Sequence, residues 1–267
     1  MKCMHGDLIY TGKTILKNGF LVFNDKGLIG ISGKPKGEVQ GEYAVLTPAL
    51  IDSHSHIGIH RHGEPGAENE TNDNLDSVQP LPDILDSVQM DDVAFRTAVE
   101  FGTLYSCVLP GSANLIGGLS AVVRHCAPHS TAALIGRAGL KAALGYNLMG
   151  YGGVKGTRPS TRRGAMALLR AKLLAVREKT AKAGTKRKGA AQPLTPEEQV
   201  LAGVLDGKIR LRVHAHKIDD IAALLRLVDE LKLRVSVEHA MDVNRPEIFE
   251  ELRRRRVKME EELQVLR

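Results

Sequence analysis

The chain has 267 residues, 43% of them hydrophobic but only 4% aromatic and none tryptophan, so it can bury a sizeable, aliphatic core as one large domain or a large domain with a small one. Three scattered cysteines (Cys3, Cys107, Cys126) argue against a disulfide framework, and no run approaches the ~18 apolar residues of a membrane span, so a soluble chain in a reducing cytoplasm is expected. The net charge of +6 is local: residues 155 to 188 hold twelve Lys or Arg against the single acid Glu178, which excludes a generally nucleic-acid-binding surface and leaves one basic patch, either a solvated helix face or an attractor of anions.

From residue 7 to 47, short apolar runs (Leu8–Tyr10, Gly19–Phe23, Leu28–Ile31) between Gly and Lys predict antiparallel strands. The stretch from Leu46 to His62 then carries an apolar run ending in His54-x-His56, with Asp52 just before it. A strand repeats every two residues, so both imidazoles point to one side. That is half of a metal site, although a bare pair also suits a solvated surface. Residues 60 to 92 form an acidic, irregular loop that overhangs the first strand, where part of it can meet a substrate. Asp91–Phe101 has helical spacing and stops at Gly102; Thr103–Leu109 is a strand. The glycines from Gly111 to Gly118 lack the lysine and spacing of a phosphate-binding loop and predict a tight strand-to-helix loop at a catalytic rim.

Leu119–Val123 and Gly139–Leu144 are two further strands, and Arg163–Lys182 is a long helix with Gly184 as its stop. Lys186–Pro193 has the composition of a flexible basic linker. A cleaner alternation follows: strand Ile209–His214, helix Asp219–Leu231, strand Arg234–His239, then a helix capped by Asn244 through Ile248, Phe249 and Leu252. Strand–helix alternation predicts a parallel sheet and an α/β fold of (β/α)₈ TIM-barrel type, whose sites gather at the C-terminal strand ends. His54, His56, His214 and His239 all fall at such ends, and four together point to metal binding. Lys141 lies inside an apolar strand, where an ammonium is unfavourable unless paired or neutral. It is either a nucleophilic amine of depressed pKa or a rim lysine reaching water.

Pro48-Ala49-Leu50-Ile51-Asp52-Ser53-His54-Ser55-His56 resembles the first-strand signature of the amidohydrolase superfamily, with Ala49 where Gly is usual. The segments Leu109–Asn114, Gly139–Gly145, Arg212–His216 and Val237–His239 are similar to its imidazolonepropionase-related branch. The resemblance implies an incomplete barrel of about six strands over residues 48–267, beside a partial β-sandwich subdomain at 1–47. It implies one or two divalent metal ions, zinc by preference, on His54, His56, His214 and His239. Lys141, carbamylated by CO₂, would be a further ligand, and Lys141 and His216 are the candidate catalytic residues. The implied reaction is metal-dependent hydrolysis of a C–N bond in a small cyclic amide or acyl-amino compound. The family's eighth-strand aspartate has no counterpart, so the sequence reads as the N-terminal two thirds of a member; Asp219, Asp220 and Asp242 are weaker substitutes. The other expectation is a truncated, inactive relative that keeps at most metal or partner binding. Homo-oligomerisation is compatible with either.

Overall fold

Alternating apolar residues at the N-terminus build a sheet of their own. In the computed structural model, which describes residues 1–150, 158–184 and 193–260, β1 (Lys2–Tyr10), β2 (Ile15–Asn24), β3 (Gly27–Ser32) and β4 (Glu38–Leu46) form a four-stranded sheet in the order β3-β2-β1-β4. The β1–β2 and β2–β3 pairs are antiparallel, as the turns between them require. β4 is the exception and runs parallel to β1. Cys3, Ile9 and Val22 are its buried apolar side chains. The chain divides into two compact units after Leu50.

The second unit is a curled, mixed sheet of seven strands. They are β5 (Leu50–Ser55), β6 (Thr103–Val108), β7 (Ile116–Arg124), β8 (Leu134–Ala143), β9 (Leu211–Ala215), β10 (Val235–His239) and β11 (Lys258–Glu260), side by side in chain order. β8, β9, β10 and β11 are mutually parallel. The expected parallel order fails at β7, which is antiparallel to both β6 and β8. Residues 109–115 and the single turn α2 (Ser130–Ala133) are too short for a crossover, so the chain can only double back. The glycine-rich stretch is therefore a strand-to-strand loop, and Ile116–Gly118 already belong to β7. Residues 60–92 are irregular as expected, with two 3₁₀ turns at Gly66–Glu68 and Ile84–Asp86.

Helices cover one face. They are α1 (Val93–Glu100), α3 (Asn147–Gly150), α4 (Arg162–Gly184), α5 (Pro196–Leu205), α6 (Ile218–Leu231) and α7 (Pro246–Arg254). Asp92 caps α1 by accepting from the Ala94 N–H, and Gly102, at φ +84°, takes the left-handed turn after it. α5 was not anticipated, although Thr195-Pro196-Glu197-Glu198 spells a capping box that the structure makes. β11 was not anticipated either. The cap of α7 is Arg245, which uses no side-chain bond; Asn244 stands one residue too early. The basic linker from Lys186 lies, up to residue 192, outside the described residues.

Leu169, Leu173 and Val176 of α4 and Leu224, Leu227 and Val228 of α6 share one aliphatic cluster with Leu211, Val213, Val235 and Val237. The strands thus alternate cleanly: those residues serve the helices, while Arg212, His214, Ser236 and Glu238 between them face the other way. Among the described residues no helix is long and apolar enough to cross a membrane.

Candidate functional site

The second face of β9 and β10 is polar and buried. Register aligns Lys141 with Arg212 and Ser236, and Ala143 with His214 and Glu238. His54 lies near the end of β5 with His56 just past it, His214 near the end of β9 with His216 just past it, and His239 is the last residue of β10. These five rings converge. Ring centroids are 4.5 Å apart for His54–His239, 4.6 Å for His214–His239, 4.4 Å for His214–His216, 5.4 Å for His216–His239 and 5.6 Å for His54–His56. Tyr146, an exposed residue after β8, stacks on His216 at 6.3 Å.

His239 reaches this cluster by breaking strand geometry. Successive strand residues point to opposite faces, yet Glu238 and His239 both touch His54. The reconciliation is backbone in the left-handed region, φ +74° at His239 and +51° at Ala240. Such conformations are unfavourable for non-glycine residues by ~1–3 kcal/mol and concentrate at functional sites.

Three of the rings are held from behind. His54 Nδ1 lies 2.8 Å from Glu238 Oε2, His56 Nδ1 2.8 Å from the Leu109 carbonyl and His214 Nδ1 2.9 Å from Ser112 Oγ. Ser112 is braced by its neighbours: Gly111 N–H donates to the Thr71 carbonyl at 2.6 Å and Ala113 N–H to Asn72 Oδ1 at 2.8 Å. What remains is unusual for a protein interior: Nε2 of His54, Nε2 of His214 and Nδ1 of His216 are buried without a hydrogen-bond partner. Burial lowers the pKa of His54 and His56 to about 4 and holds His214 well below the ordinary imidazole range, with the Lys141 charge adding to the effect. The three rings are therefore neutral at pH 7, the form that binds metal. Among the described residues no group of three or more His, Cys, Asp or Glu is placed so that it could hold a metal ion. What the cluster brings together is ring spacing, neutrality and unpartnered nitrogens.

Lys141 is fully buried and approaches the cluster indirectly. Its Nζ donates to the Pro110 carbonyl at 2.9 Å and to Ser112 Oγ at 3.3 Å, and Ser112 in turn touches His214. Burial lowers its pKa to about 7. Beneath the rings, Arg212 grips Glu238 with Nε to Oε1 at 2.9 Å and Nη2 to Oε2 at 2.8 Å. Arg212 also reaches Cys107 Sγ at 2.7 Å and the Ser53 carbonyl at 2.9 Å. Burial alone would raise the Glu238 carboxyl, but the bonds from His54 and Arg212 outweigh it and hold it well below the usual range. None of Ser112, Arg212 or Glu238 was singled out from sequence. The signal was there in Arg212 and Glu238, charges at alternate positions of apolar strands. Of the substitute aspartates, Asp220 is buried and engaged by Arg162 Nε at 2.8 Å, and Asp242 donates its backbone N–H to the His216 carbonyl at 3.2 Å.

No protein-family model matches the chain. In a 216-position alignment that covers 73% of this chain, it is 26% identical to "Amidohydrolase tasK" of Hapsidospora irregularis, and it spans 22% of that relative. The crystal structure of an amidohydrolase from Thermotoga maritima superposes with a TM-score of 0.86 at 24% identity, over 99% of this chain and 70% of that one. The second likeness shows that the two chains share a fold.

Proposed function

We propose that this chain belongs to the amidohydrolase superfamily and carries the metal centre of a hydrolase that cleaves a C–N bond in a small cyclic amide or acyl-amino compound. One observation supports this most: five histidines from three strands converge with Nε2 of His54 and His214 buried and unpartnered. His54, His56, His214 and His239 would hold a divalent ion, zinc by preference, or a pair of ions. A metal bound there supplies acidified water and a polarised carbonyl at neutral pH. His216, whose Nδ1 is unpartnered, would take the proton released as water adds to the carbonyl carbon. It would return that proton to the nitrogen as the C–N bond breaks. Tyr146 beside it offers a flat wall for the substrate.

Lys141 is assigned as a further ligand through carbamylation. A buried amine with pKa about 7 is about half free base at neutral pH, and the free base adds to CO₂ and releases one proton to give a carbamate. Lys141→Ala is expected to lower zinc content, with partial recovery when a short carboxylic acid is supplied. Unchanged zinc content in this variant removes Lys141 from the ligand set.

The test of the centre uses the purified 267-residue chain loaded with zinc and freed of excess. Stoichiometric zinc is expected in the parent and its loss in His214→Ala, since losing a ligand should exceed the ~10–100-fold that an outer-shell partner is worth. The zinc-loaded parent is then assayed on cyclic amides and N-acyl amino acids. A parent that binds no zinc overturns the proposal; one that binds zinc and hydrolyses nothing retains the centre and loses the reaction.

A further inference from the structure

The groups behind the histidine rings decide which nitrogen of each ring faces the cluster. A neutral imidazole carries one proton, so a ring nitrogen that meets an acceptor-only group must be the one that bears it. The Leu109 carbonyl beside His56 Nδ1 can only accept. The partner of His54 Nδ1 is a carboxyl oxygen, and a carboxyl is acceptor-only when it is ionised.

The surroundings of Glu238 settle its state. It is 0% exposed, and two oxygens receive two N–H groups of the Arg212 fork and the Ser236 hydroxyl, at 2.9, 2.8 and 2.7 Å. A guanidinium is permanently charged and has no acceptor, so both oxygens of Glu238 must accept from it. A bidentate contact with a permanent cation holds the carboxylate ionised, and an ionised carboxylate only accepts, so the fourth contact, at His54 Nδ1, is made by a donating ring.

We infer that Glu238 is the positioning residue of this centre: it locks His54 as the Nδ1–H tautomer and so leaves the buried, unpartnered Nε2 with a free lone pair. Its role in metal capture rests on the function proposed above; the tautomer itself does not. The sequence economy is notable, because β10 then delivers a ring to the cluster at His239 and orients a ring from β5 one residue earlier. Arg212 is what keeps Glu238 ionised without letting it compete for the cluster.

The direct test is a long-range ¹H–¹⁵N correlation spectrum of the imidazoles in the metal-free 267-residue chain, with His54 signals assigned by their absence in His54→Gln. The expected pattern has the proton on Nδ1 and an unprotonated nitrogen at Nε2. A proton on Nε2 overturns the inference. The consequence is tested by zinc titration of Glu238→Gln, whose affinity should fall ~10–100-fold, the usual effect of removing an outer-shell partner. A folded Glu238→Gln that binds zinc as the parent does also overturns it. If that variant does not fold, the parent spectrum decides alone. A parent with Nδ1–H on His54 that binds no zinc sustains the role of Glu238 and sinks the metal centre; zinc bound by a parent with Nε2–H does the reverse.

Discussion

Arg212→Met is expected to destabilise the second unit by about 3–5 kcal/mol, the usual effect of removing one partner from a buried ion pair. The Arg212 and Glu238 side chains are only 6% and 0% exposed, so neither is screened by water. Methionine fills much of the same volume, which confines the loss to charge and hydrogen bonding. That loss is broad, because the guanidinium ties β9 to Glu238 on β10, to Cys107 on β6 and to the Ser53 carbonyl on β5. At ~2–4 °C per kcal/mol for a unit of this size, the melting temperature should drop by roughly 6–20 °C. Arg212→Lys should fall between, since it keeps the charge and loses the fork. The double variant Arg212→Met, Glu238→Leu should recover much of the stability, because an apolar pair can replace a buried ion pair at little loss. Melting points of the four proteins, measured without metal, decide this. A shift of less than ~2 °C in Arg212→Met would show that the pair contributes nothing to the fold.

The parts of this molecule that the sequence made legible are those set by local pattern. The period-two spacing of His54 and His56 put both rings on one side, and the 25-residue strand–helix unit put His214 and His239 on neighbouring strands. Those inferences needed only strand geometry and one short crossover. The direction of β7 was not legible, because antiparallel and parallel strands bear the same apolar run and differ only in the connection. Nor was the contribution of Glu238. Strict alternation sends residues 238 and 239 to opposite faces, so a reader who assigns His239 to the site assigns Glu238 to the core behind it. The left-handed turn at His239 and Ala240 defeats that rule, and neither residue advertises it as a glycine would. Ser112 escaped notice for another reason: its position depends on Thr71 and Asn72, some forty residues earlier in a loop without periodicity.

The metal-free protein should lose stability steeply in mild acid, well above the pH at which ordinary carboxylates protonate. His54 has a pKa near 6.5 when unfolded and about 4 in the fold, where burial disfavours its charged form. Between those values the unfolded chain binds a proton that the folded chain refuses, so protons drive unfolding. The contribution of the neutral ring is complete above about 6.5 and is lost as pH falls toward about 4. At 1.36 kcal/mol per unit, His54 alone accounts for about 3 kcal/mol across that window. His56 and His214 act in the same direction. Lys141 extends the trend upward: its pKa, lowered from 10.5 to about 7, makes stability rise with pH across that higher range as well. Bound zinc should steepen the acid limb, since protons then compete with the metal for the same nitrogens. The measurement is urea unfolding in the presence of a chelator at several pH values from about 4.5 to 9, for the parent and for His54→Gln. The parent's unfolding free energy should fall by several kcal/mol between about pH 7 and 4.5, and His54→Gln should show a visibly shallower fall. A parent whose stability is flat over that interval would mean that the rings are solvated enough to accept protons, and the cluster would then be no better prepared for a metal than a set of surface histidines.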